Sequence, residues 1–123
     1  MTARRVAFVA NRLTVGGLER VVLELATRRI RNVVFLTTDV HHAEVIRHAP
    51  RPGLLFHELV AGPLSAGFGR PGSLDPALRP TRLFADSGYE NFGELSVEEH
   101  GLTARVIDLG GRIRFETTLV PEP

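Results

Sequence analysis

The sequence of 123 residues contains no cysteine, which excludes disulfides and thiol catalysis and leaves the redox compartment open. It has almost no excess charge either. Its 15 basic and 14 acidic residues leave +1, with the arginines scattered. Nucleic acids and anionic membrane surfaces are attracted by concentrated positive charge, so neither partner is indicated. Long apolar runs are also missing: nothing approaches the about 18–20 residues of a membrane span. Residues 6–10 follow Arg4 and Arg5 in the manner of an export signal, but the run falls short of the ~7–15 apolar residues such a signal needs. It reads as a strand.

What is present suits one folded domain, residues 1–123, since 43% apolar content can bury one core. The length is short for an α/β enzyme. After the strand at 6–10, Gly16-Gly17 precedes a helical segment at 18–29. There Leu18, Val21, Val22, Leu25 and Ala26 recur at the spacing of a stripe that lies on a sheet. Glu24 and Arg28 stand one turn apart and can pair. Val33-Val34-Phe35-Leu36 is short, β-branched and aromatic, as a buried strand of a parallel or mixed sheet is. Strand, helix and strand form an opening β-α-β unit with an expected right-handed crossover.

The second strand stops on Thr37-Thr38-Asp39-Val40-His41-His42. Ligands and metals in α/β sheets are held just past the carboxyl ends of strands, where loops border an open crevice. Asp39 and His41 fall at that point, and in an extended segment alternation places both on one side. A carboxylate and an imidazole so placed are half of a catalytic metal site. His42 is the weaker candidate. The plainer reading makes Asp39 the cap of the segment 41–48, within which residues 43–48 form a short helix, and leaves the histidines solvated.

Pro50-Arg51-Pro52-Gly53 ends that helix, and residues 54–60 read as a third strand with His57 as a partnered or edge histidine. Residues 61–80 are punctuated by glycine and proline and are too long for an ordinary connection. Ser65 and Ser73 lie there without a G-x-S-x-G elbow, so they read as loop serines rather than nucleophiles. Residues 92–97, 102–109 and 112–119 make a closing antiparallel meander, its last two strands joined at a two-residue Gly110-Gly111 turn. Ile113, Phe115, Thr117 and Leu119 share the buried face.

The segment from Arg31-Asn32-Val33-Val34-Phe35 to Asp39-Val40-His41, then His57-Glu58-Leu59-Val60-Ala61-Gly62-Pro63-Leu64-Ser65-Ala66-Gly67, resembles the C-terminal portion of the PhoD-like (alkaline phosphatase D) metallophosphatases. Gly72-Ser73-Leu74-Asp75-Pro76, Asn91-Phe92-Gly93 and the Val106 to Gly111 ending extend the likeness over residues 17–123. The resemblance implies an α/β fold, part of a calcineurin-like metallophosphoesterase sandwich. It also implies a two-metal site that hydrolyses phosphate esters, with divalent or trivalent ions (Fe, Ca, Zn or Mn). Asp39 carries over as a metal ligand and His41 as a ligand or catalytic phosphate contact. Thr38 departs from the glycine or alanine common there and stiffens the backbone where it must turn. The family's earlier ligands have no counterpart in this sequence, which implies a truncated member with part of the metal site and little hydrolase activity alone. Relatives are often secreted.

Two other readings stand beside it. A remnant binding module would carry no catalysis and would self-associate through exposed sheet edges. Val15-Gly16-Gly17-Leu18-Glu19-Arg20 after the first strand also resembles the start of GT-B glycosyltransferases, where a helix N-terminus approaches a diphosphate.

Overall fold

The computed structural model describes residues 7–10 and 18–123. The glycine turn behind the glycosyltransferase reading lies outside them. The elements are β1 (Ala7–Ala10), α1 (Leu18–Thr27), β2 (Val33–Thr37), β3 (Ala43–Arg51), β4 (Leu54–Val60), a 3-10 turn at Pro76–Leu78, β5 (Pro80–Asp86), β6 (Asn91–Glu98), β7 (Gly101–Asp108) and β8 (Ile113–Leu119). The fold is dominated by sheet. A mixed five-stranded sheet has the order β1-β2-β4-β3-β5, and β6-β7-β8 form a separate antiparallel sheet.

The opening unit matches expectation: β1 and β2 are parallel, with α1 between them in sequence. Helix α1 ends in a Schellman arrangement. Ile30 N donates to Leu25 O at 2.9 Å and Arg29 N to Ala26 O at 3.2 Å, with Arg29 left-handed at φ 53. Ile30 thereby joins Leu25, Val22 and Ala26 against Val33, Phe35, Leu54, Phe56 and Leu78. Val21 belongs to the expected stripe but is exposed.

Three expectations are corrected. Residues 43–48 are strand, not helix, because β3 lies between β4 and β5 with both faces covered. Burial is then continuous over Ala43, Glu44, Val45 and Ile46 and shows neither helical nor alternating period. Strand β5 emerges where no strand was expected, as an edge strand with Thr81, Arg82 and Leu83 exposed. In β8, a register shift pairs Phe115 with Val106 but Ile113 with Ile107, so alternation breaks at Arg114 and Ile113 is exposed. The turn before β8 spans residues 109–112, closed by Asp108 Oδ1 accepting from Gly110 N and Arg112 N, both at 3.0 Å.

Alternation assigns each face of the five-stranded sheet to a different neighbour. Phe35 and Phe56 meet edge-on, 5.4 Å between centroids, on the side of α1. Ala43, Val45 and Leu59 point the other way, against Ala104 and Val106 of the second sheet. Stacking of Phe84 on Phe115 at 4.7 Å joins the two sheets. The glycine-rich segment after β4 is held by Asn91, which is 0% exposed. Asn91 Oδ1 accepts from Gly62 N at 2.9 Å, and its Nδ2 donates to Gly62 O at 2.7 Å and Tyr89 O at 3.2 Å.

Candidate functional site

The parallel strand β2 and the antiparallel strand β3 are joined by residues 38–42, and this short connection decides where the predicted ligands go. Asp39 adopts a left-handed backbone with φ 67, and His42 N donates to Val40 O at 2.9 Å. The segment is therefore bent, and the strand alternation expected to align Asp39 with His41 does not operate there. Both side chains are exposed, and both line one cavity of about 780 Å³.

The glycine-rich segment forms the opposite wall. Gly69 N donates to His41 O at 2.7 Å, and Phe68, Arg70 and Ser73 also line the space. Its length thus has a structural use: it returns over the end of β2 before the chain enters β5. Ser73 faces the cavity with no elbow geometry around it, and Ser65 is exposed outside its lining.

The floor is built from polar side chains on the α1-facing side of the sheet. Glu58 accepts from Thr37 Oγ1 at 2.8 Å, and its other oxygen lies 3.1 Å from His48 Nε2. The His48 ring stacks on Phe56 at 4.8 Å. Nearer Asp39, Glu44 Oε1 accepts from Arg82 Nε at 2.6 Å while Glu44 Oε2 lies 2.9 Å from His42 Nε2. Arg82 also donates to Gly72 O at 2.6 Å. Glu44, Glu58, His42 and His48 are all buried, so each carboxylate needs these partners to offset the water it has lost.

Sequence reasoning missed Glu44, Glu58 and His48 as members of this cluster. The available signal was a polar residue at each of positions 44, 48 and 58 among β-branched and aromatic neighbours, which in a covered strand demands a partner. His57 is half-buried on the other face, pushed down to about 4 by burial first and then by the charges of Arg47 and His48. It belongs to a different cavity.

As metal donors, Asp39 and His41 provide one oxygen and one nitrogen, against about three protein ligands at a catalytic zinc. Among the described residues no three His, Asp or Glu side chains are grouped to hold one ion. The pair fits part of a coordination sphere. No described helix is long and apolar enough to cross a membrane. Comparisons of the chain with known protein families, with curated proteins and with solved structures return no match.

Proposed function

We propose that this chain is part of a PhoD-like phosphoester hydrolase, contributing Asp39 and His41 to a metal site whose other ligands lie outside the described residues. The fold this implies is part of a calcineurin-like sandwich, the five-stranded sheet and the β6-β7-β8 sheet being two of its layers. One observation carries the reading: Asp39 and His41 open together into a polar cavity at the carboxyl end of β2, where an open α/β sheet receives its ligands. The His42–Glu44–Arg82 chain anchors the same connection from below and limits how far the two donors can wander. A bound ion would polarise a phosphoryl oxygen and acidify a water. The chain's own part is to present the two donors and to leave room beside them for a phosphate ester.

Titration of the chain with Mn²⁺ and Zn²⁺, followed by a para-nitrophenyl phosphate assay, tests this. Metal uptake that is lost in both Asp39→Asn and His41→Ala, with little turnover, is the expected result. Turnover abolished by Asp39→Asn identifies a complete phosphatase. Uptake that survives both substitutions, or neither uptake nor turnover, overturns the reading in favour of a non-catalytic interaction module. That second reading draws on β5, an edge strand whose free side can add a strand from another copy.

A further inference from the structure

A second cavity, of about 200 Å³, lies between the two sheets on the side of the five-stranded sheet that faces away from α1. Val34 and Leu55 form one wall, Leu95, Leu102 and Leu119 the other. Its mouth is crossed by the C-terminal tail, which is tied to the start of β2. Glu122 N donates to Asn32 Oδ1 at 2.8 Å, Asn32 Nδ2 returns a bond to Glu122 O at 3.3 Å, and Arg31 donates to Pro123 O. Val120, Pro121 and Glu122 therefore form a rim held in place rather than a loose end.

Inside this apolar slot the polar exception along β4 is His57. No described residue hydrogen-bonds its ring. Burial and the neighbouring Arg47 keep the ring neutral at ordinary pH, so it offers one lone pair and one N–H instead of a charge. Asn32 and Glu122 also line the space, but at the rim, where the Asn32 amide is already bonded to the Glu122 backbone, so the inner wall selects by shape first and by the hydrogen bond of His57 second. Size sets the rest. A dry protein cavity of about 150 Å³ holds benzene, so this slot of about 200 Å³, open at its rim, has room for about eight or nine heavy atoms.

We propose that the slot between the sheets binds a flat, uncharged, mainly apolar molecule of about nine heavy atoms whose one N–H or O–H donor is directed to the imidazole of His57. Such a ligand leaves the Asp39–His41 cavity untouched, because His57 and that cavity are on opposite faces of the sheet. The site stands whether or not the chain belongs to a phosphatase.

Indole and its near-isostere indene, which carries a CH2 in place of the N–H, are the probes, followed by amide chemical shifts of the labelled full chain. Indole is expected to shift the amides of Val34, Leu55, His57 and Leu95 saturably, with indene about fivefold weaker. His57→Leu abolishes that preference, and Leu102→Phe, which fills the slot, abolishes binding of both. Should Leu102→Phe fail to fold, Val97→Phe narrows the mouth at a position 65% exposed and weakens both probes. The inference falls if indole leaves those amides unmoved, if the filled variants bind as wild type does, or if the indole preference persists in His57→Leu.

Discussion

His57 and Glu58 are consecutive in β4 and serve opposite faces of the same sheet. Glu58 joins Thr37 and His48 in the polar floor beneath Asp39, while His57 enters the apolar slot against the second sheet. A single strand thus supplies one carboxylate to a hydrogen-bonded cluster and one imidazole to a hydrocarbon wall. The two groups have opposite requirements. Glu58 is surrounded by hydrogen-bond partners, whereas burial, and next the charge of Arg47, disfavours the protonated form of His57.

That difference gives a pH dependence. His57 titrates at about 4 in the fold against 6.5 ordinarily, so between these values the unfolded chain binds more protons. The stability owed to its neutral form is full above 6.5, declines as pH falls towards 4 and changes no further below. For a ring that is partly solvated the loss is on the order of 1–2 kcal/mol. Urea unfolding at about pH 7, 5.5 and 4.5 measures it. His57→Leu removes this part of the slope.

The Glu44–Arg82 pair makes a separate prediction. Arg82→Met leaves a buried carboxylate with His42 as its remaining side-chain partner, and a loss of about 1–3 kcal/mol is expected. In the double variant Glu44→Met/Arg82→Met the charge that needs a partner is gone. Part of the loss returns, and the double-mutant cycle in chemical denaturation reports a coupling above about 0.5 kcal/mol.

Asn91→Ala removes the fully buried side chain that pairs both backbone groups of Gly62. Destabilisation of about 2–4 kcal/mol is expected, read from the urea midpoint. Because the segment that begins at Gly62 goes on to wall the Asp39–His41 cavity with Phe68, Gly69, Arg70 and Gly72 to Asp75, the amides of residues 61–75 should also lose hydrogen-exchange protection ahead of those of β7.

Two glycines separate close approach from open space. A Cβ on Gly101 would meet Leu119 O and Thr118 Cγ2 at 3.1 Å each, and a backbone oxygen in a paired strand cannot step aside. Gly101→Ala should cost about 1–3 kcal/mol. Around Gly67 a Cβ meets nothing within 4 Å, so Gly67→Ala should stay within about 0.5 kcal/mol of wild type by thermal melting.

Local pattern carried the parts of the fold whose burial is one-sided. The stripe of α1 is legible because its other flank is wet, and β6 to β8 because their outer side carries Glu94, Arg105 and Glu116 in mutual ion pairs. Strand β3 was not legible, since cover on both faces erases any period. Arg114 was not legible as an interruption either: its bulge is stabilised by contacts with Tyr89, Asp86 and Asp108, which chain order does not bring together.

The candidate site divides in the same way. Asp39 and His41 are legible from their place after an apolar strand, and their shared cavity follows from that position. Their relative orientation is not, because the left-handed turn at Asp39 depends on the Gly69 and His42 contacts around it.

By itself the sequence determined the β-α-β opening, the closing meander and the place along the chain where β2 ends in a polar connection, since each depends on spacing between near neighbours. Tertiary structure alone decided which polar side chains are buried together. Glu44 finds Arg82 and Glu58 finds His48 only after β3 has been laid between β4 and β5, and a carboxylate's need for a partner arises only when folding takes its water away.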